Sequence, residues 1–156
     1  MKETGVEGFV LAGGGSRRMG TAKAFLPYRD STMLQRSIEV LQATGVPVRL
    51  VASSKDDLDE ISVPVLIDRF PGAGPLGAIF TALTESVSRD CLFLACDTPL
   101  VGPDLFEVVM NHAESWDAVI PVDSKGQQHP LSAYYSSHCS EVAGDLLRKG
   151  RRRVGE

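Results

Sequence analysis

Val10-Leu11-Ala12-Gly13-Gly14-Gly15-Ser16-Arg17-Arg18-Met19-Gly20-Thr21-Ala22-Lys23 begins as an apolar run and breaks into three glycines, paired arginines, another glycine and a lysine. An apolar run that stops at glycine reads as a buried strand followed by a tight loop. Glycines let backbone N–H groups approach an anion without Cβ interference, and consecutive N–H groups in a turn make an anion-binding nest. The loop is therefore a phosphate candidate, although a glycine run after a strand is also what a plain tight turn looks like. Two familiar phosphate loops do not fit. The dinucleotide spacing G-x-G-x-x-G places a third glycine where Arg18 stands, and a Walker A loop ends in Gly-Lys-Ser/Thr, whereas Gly20 is followed by Thr21 and Lys23 comes two places late. What remains is a longer cationic loop in which Arg17 or Arg18 clamps a phosphate bidentately and Lys23 adds a point charge.

Working outward, further short apolar runs bounded by turn residues lie at 48–52, 63–67, 91–96 and 118–122, in addition to 8–12. They read as strands buried on both faces. Between them fall helical stripes. Leu34, Ile38 and Leu41 stand behind a cap at Ser31 or Thr32, and Leu105, Val108, Val109 and His112, the last a half-buried core residue, stand behind Pro103-Asp104. The stretch 131–135 predicts one more strand, and 140–149 a last helix closed by Gly150. Strands alternating with helices predict an α/β chain with three layers, a mostly parallel central sheet flanked by helices. In such sheets ligands gather beyond the carboxyl ends of the strands. The glycine loop, Asp68 and Asp97 all fall there, so loop residues far apart in sequence are predicted to converge.

The bulk properties narrow the function. The chain has 156 residues, 43% of them hydrophobic, which suits one domain and one core. Its 16 basic and 20 acidic side chains give a formal net charge of -4, so no overall positive field draws it to nucleic acid or to an anionic membrane. The three cysteines, Cys91, Cys96 and Cys139, lack CxxC spacing and suit buried thiols in a reducing cytoplasm. With no long apolar segment and no leader of signal-peptide length, a cytoplasmic location is predicted.

The loop also carries a resemblance. Leu11-Ala12-Gly13-Gly14 with Ser16-x-Arg18-Met19-Gly20 and Lys23 resembles the signature of nucleotidyltransferases with a GT-A-like, Rossmann-like α/β fold, and within that group the molybdenum cofactor guanylyltransferases. Three further stretches agree in order and spacing: Pro71-Gly72-Ala73-Gly74-Pro75-Leu76-Gly77-Ala78 is similar to the family's Gly-Pro-Leu loop, Cys96-Asp97-Thr98-Pro99 to its Cys-Asp-Thr-Pro turn, and Gln128-His129-Pro130-Leu131 to its later His-Pro or Gln-Pro stretch. The resemblance runs from Gly8 to about Val154.

The resemblance implies transfer of GMP from GTP to the phosphate of molybdopterin, with release of pyrophosphate and with Mg²⁺ as cofactor. By position, Leu11, Ala12 and Gly13, with Gly14, Gly15 and Arg17 beside them, hold the guanine nucleotide. Lys23 and Arg18 meet its phosphates, Asp68 helps hold the nucleoside, and Asp97 binds the metal. The implied partners are GTP and a molybdopterin-type acceptor, with transient contact to molybdoenzyme maturation proteins, and neither nucleic acid nor membrane. One departure concerns the base. Where the family commonly places asparagines, this chain has Val51-Ala52-Ser53-Ser54, so a contact expected from an amide comes from Ser53, Ser54 or backbone, or is absent. Family chains also continue past the Arg-Arg-Val stretch, so a single nucleotidyltransferase domain over 1–156 without the family's C-terminal segment is predicted.

Plainer readings stand beside these. Asp68 next to Arg69 also reads as a surface ion pair, Asp97 before Thr98-Pro99 as a turn cap, and Arg151-Arg152-Arg153 as a solvated run or a steering patch for a phosphate-bearing acceptor, the functional reading being the better bet for Asp68 and Asp97 and the solvated run the usual one for the arginines. His129, His138 and Cys139 lack a complete zinc spacing. The alternatives in function are a cytidylyl or sugar-phosphate nucleotidyltransferase, and a non-catalytic nucleotide-binding protein.

Overall fold

A computed structural model describes residues 2–12 and 24–155. The elements are β1 (Glu3–Leu11), β2 (Pro27–Tyr28), β3 (Ser31–Thr32), α1 (Met33–Gln42), β4 (Val48–Ala52), β5 (Val65–Ile67), α2 (Gly74–Glu85), β6 (Ser88–Ala95), α3 (Pro103–Ala113), β7 (Ala118–Val119), β8 (Ser132–Ser136) and α4 (Cys139–Arg148). Six strands form one sheet in the order β5-β4-β1-β6-β8-β7. β5, β4, β1 and β6 run parallel, and β8 is antiparallel to both of its neighbours. The small β2–β3 hairpin stands apart.

Alternation along the strands divides the core between two faces. Phe9 and Leu11 of β1, Val51 of β4 and Cys91 and Phe93 of β6 pack with Ala78, Ile79, Ala82 and Leu83 of α2. Val10, Leu50, Leu92 and Leu94 point the other way, against Leu34, Ile38 and Leu41 of α1 and Phe106, Val109 and Ala113 of α3. Both faces are covered, which is why these strands are written as continuous apolar runs. Phe9 stacks on Phe93 with centroids 5.5 Å apart.

Local signals set the helix ends. Thr32 caps α1, its side-chain oxygen accepting from Gln35 N–H at 3.1 Å. Gly150, at φ +76°, closes α4: its N–H donates to Leu147 C=O and the Arg151 N–H to Leu146 C=O, the paired bonds of a Schellman end. The stripe on α3 differs from the sequence reading. Phe106, Val109 and Ala113 are its buried residues, while Val108 and His112 are exposed and the His112 ring turns back to Val108 C=O at 2.8 Å. Phe106 had the larger apolar surface to bury, and it rotates the stripe by one position. The strand expected over 118–122 is shorter, continuing only as a bridge between Val122 and Gln128.

Candidate active site

The chain passes from β1 through β4 to β5 on one side, then crosses by α2 to β6 on the other side of β1. The strand order reverses between β1 and β6, so the crevice beyond their carboxyl ends is the place where α/β sheets bind ligands. The backbone lines up four loops along this edge. Asp68 N–H donates to Ala52 C=O at 2.8 Å, Ala12 N–H to Val51 C=O at 3.0 Å, Cys96 N–H to Leu11 C=O at 3.2 Å, and Ala95 N–H to Leu131 C=O at 2.9 Å. Parallel register therefore brings Ala12, at the head of the glycine loop, beside Cys96 and so next to Asp97.

Asp97 is exposed at the end of β6. The turn behind it is fixed locally, with Thr98 Oγ1 donating to Ala95 C=O at 2.8 Å and Val101 N–H to Thr98 C=O at 3.2 Å. A cavity of about 440 Å³ opens beside Asp97, reaching past the 98–101 turn to Pro121, Val122, Asp123 and His129. On the other side of β1 lies a narrow recess of about 10 Å³ bordered by Ala12, Phe25, Ala52, Ser53 and Ser54. Among the described residues no group of three His, Cys, Asp or Glu side chains is arranged to hold a metal ion. A single exposed carboxylate suits a hard divalent cation that takes its other ligands from phosphate oxygens and water.

Leu11 is buried, its side chain in the core under α2, and Ala12 is half-buried at the strand end. Gly13, Gly14, Gly15, Arg17, Arg18 and Lys23 lie outside the described residues. Asp68 is only 7% exposed. Its Oδ1 accepts from Phe70 N–H at 2.8 Å and from Thr81 Oγ1 at 3.1 Å, so the carboxylate ties the loop after β5 to the middle of α2. The surface pair with Arg69 is not formed: Arg69 meets Glu85 at 3.1 Å instead.

The Gly-Pro-Leu stretch is the start of α2 as well as a loop, with Pro75 in its first turn. A Cβ on Gly74, at φ +68°, would lie 2.7 Å from Arg152 C=O, and one on Gly77 would lie 2.9 Å from Phe70 C=O. These glycines allow two backbones to approach α2 closely. The Leu76 N–H donates to Arg152 C=O at 3.3 Å and Val154 packs into the core, so the basic segment 151–153 is docked against the start of α2.

The sequence reading did not single out Asp123, which lines the same cavity as Asp97. Its Oδ1 accepts from the N–H groups of Lys125 at 2.8 Å and Gln127 at 3.0 Å, and its Oδ2 lies 3.1 Å from His129 Nε2. The Gln127 N–H, then His129 and the Lys125 N–H, hold the Asp123 carboxyl below the usual range, so it is an ionised acceptor. The signal was present as Asp123 followed by Gly126 and the His129-Pro130 pair, but it reads as an ordinary turn until the fold brings it to Asp97.

Comparison with known proteins identifies the fold and the family. A structure of a molybdopterin-guanine dinucleotide biosynthesis protein A from Archaeoglobus fulgidus superposes with a TM-score of 0.75 at 23% identity, covering 94% of this chain and 75% of that one. A 2-C-methyl-D-erythritol 4-phosphate cytidylyltransferase from Thermus thermophilus superposes with a TM-score of 0.70 at 16% identity, covering 99% and 80%. The fold is thus that of nucleotidyltransferases. Residues 8–156 match the family described as MobA-like NTP transferase domain, and the chain belongs to that family. A probable molybdenum cofactor guanylyltransferase from Methanothermobacter thermautotrophicus is 38% identical over 157 residues, covering 94% of this chain and 79% of the relative.

Proposed function

We propose that this chain transfers GMP from GTP to the terminal phosphate of a molybdopterin-type acceptor, releasing pyrophosphate. The observation that carries the reading is the register of β1 against β6, which sets the head of the glycine loop beside Asp97 at the reversal of strand order, in a chain of the MobA-like family. The bond that forms joins an acceptor phosphate oxygen to the α-phosphorus of GTP, and the bond that breaks joins that phosphorus to the oxygen bridging to the β-phosphate. The nucleophile is already anionic, so no general base is needed and the protein acts by positioning and charge neutralisation.

Backbone of Leu11, Ala12 and the glycines Gly13 to Gly15 holds the nucleotide along the strand ends. Arg17, Arg18 and Lys23 oppose charge on the five-coordinate phosphorus and on the departing pyrophosphate. Asp68 acts from behind, fixing the loop that leads into α2. Asp97 would hold a divalent cation, Mg²⁺ in this reading, whose chemistry is to neutralise and orient phosphate oxygens.

A cytidylyl transfer is the second reading, and Ala52, Ser53 and Ser54 favour weighing it, because no amide borders the described part of the base recess. The fold alone does not choose the base. Pyrophosphate release from each of the four NTPs, with and without molybdopterin, tests both: GTP with molybdopterin is expected to dominate, and dominance of CTP replaces the first reading by the second.

A further inference from the structure

Helix α3 carries apolar residues on two sides where one suffices. Its inner side, with Phe106, Val109 and Ala113, is buried in the core. A surface helix is expected to be polar opposite such a stripe, yet Val108 on the outer side is 57% exposed and Trp116, in the turn after the helix, 67%. The backbone keeps its helical sense past Ala113. Glu114 is in the right-handed helical region and Trp116 N–H donates to Ala113 C=O at 3.2 Å, so Val108, His112 and Trp116 follow one another a turn apart over about 12 Å. Single exposed aliphatic residues are ordinary, but tryptophan is among the residue types most enriched where interfaces are anchored.

The polar groups around this stripe are of one kind. Asp104, Glu107 and Glu114 are exposed, and none of them forms an ion pair among the described residues. The segment 103–117 contains no lysine or arginine. His112 adds to the pattern: its Nδ1 lies 2.8 Å from Val108 C=O, which only accepts, so Nδ1 carries a proton and in the neutral ring Nε2 is an acceptor.

We infer that the outer side of α3 docks a basic amphipathic helix of a partner protein, with Val108 and Trp116 meeting its apolar stripe and the carboxylates of Asp104, Glu107 and Glu114 meeting its lysines or arginines. Charge decides the occupant. A second copy docked through the same patch would set carboxylate against carboxylate, and nucleic acid and anionic membrane carry the sign of the patch itself. A helix suits the one-turn spacing, because rows of residues four apart pack into the grooves of a second helix. Trp116 lies at the far end of α3 from the cavity beside Asp97, just before β7, so the docking does not depend on the transfer reading.

The chain has one tryptophan, so its emission reports the patch directly. The probe is a leucine–lysine peptide of about five helical turns with its leucines on one face, and the control is the same composition in shuffled order. The patterned peptide should give a saturable blue shift and bind at least about tenfold more tightly than the shuffled one. Glu107→Lys with Glu114→Lys should weaken it by about tenfold or more at low salt, whereas Asp59→Lys with Glu60→Lys, the same charge change on another exposed acidic stretch, should change it by less than about twofold. Trp116→Ala, followed by calorimetry, should weaken it by about tenfold. Melting stays at the wild-type value in these variants, which keeps a folding defect apart from a loss of docking. Equal affinity for the shuffled peptide, an unmoved Trp116 emission, or equal weakening by the change at Asp59 and Glu60 overturns the inference, as does a chain already dimeric with Trp116 shielded from iodide.

Discussion

The two ends of the central sheet are built to opposite rules. At the amino ends of the strands, Glu7 is buried on β1 with both oxygens occupied, Oε1 accepting from Arg49 Nε of β4 at 2.6 Å and Oε2 from Ser86 Oγ at 2.7 Å. Lys2 adds hydrogen bonds to the carbonyls of Leu83 and Ser86 at the end of α2. At the carboxyl ends of the same strands Asp97 stands exposed over a cavity, and Ser53 and Ser54 border a recess. The closed contacts of Glu7, Arg49, Ser86 and Lys2 tie the strands together at one end, while at the other end Asp97, Ser53 and Ser54 remain exposed.

The comparison breaks most visibly at Asp97. Asp97→Asn should lower nucleotidyl transfer by about a thousandfold, on the order of 4 kcal/mol, with melting unchanged, because it removes only a charge at an exposed strand end. Transfer within tenfold of wild type at ordinary Mg²⁺ would remove Asp97 from the site. The mirror experiment is Arg49→Met. It leaves the buried Glu7 carboxylate without its ion-pair partner, which costs about 3 kcal/mol of stability, toward the low end for such pairs since Arg49 is partly exposed. Urea unfolding should report this loss, while kcat of the folded fraction stays near wild type.

Lys23→Met addresses the proposed phosphate contact and is expected to lower kcat by about a hundredfold, the effect of one electrostatic contact made mainly in the transition state. A rise in KM alone would make Lys23 a uniform binding contact. A smaller change sharpens the account of the base: Ser54→Asn should raise the preference for GTP over ATP by about tenfold in competition binding, the contribution of one hydrogen bond to a base. The smallest effect belongs to the closed end. Burial pushes the Cys91 thiol up to about 11 from its ordinary 9.0. The folded chain therefore keeps a proton that the unfolded chain loses between these values, so this term's stability is intact below pH 9 and declines toward pH 11. Cys91→Ala should flatten the decline in pH-dependent urea midpoints.

Much of this was legible in the sequence, for physical reasons that also set its limit. The parallel strands were readable because a sheet covered on both faces must be apolar on both, as Phe9, Val10 and Leu11 are. The place of Asp97 was readable because a residue directly after such a run falls at the carboxyl edge of the sheet. The α3 stripe was misread at His112 because Leu105 and Phe106 adjoin, and periodicity alone does not say which of two neighbouring apolar residues leads the face. The cavity beside Asp97 was hidden for a different reason. Leu100 and Val122 are ordinary apolar residues far apart in the chain, and only the antiparallel return of β8 beside β6 brings their two loops to one cavity.

The central claim, that the carboxyl end joins a nucleotide to a phosphate-bearing acceptor, is tested most directly by following label from GTP marked at its α-phosphate, with Mg²⁺ and molybdopterin present and pyrophosphate measured in parallel. The account predicts that the label moves to molybdopterin, that one pyrophosphate appears for each GMP transferred, and that both signals vanish with chelator and in Asp97→Asn. Nucleotide bound tightly but never consumed, with no pyrophosphate from any of the four NTPs, would contradict it and leave a binding protein in place of an enzyme.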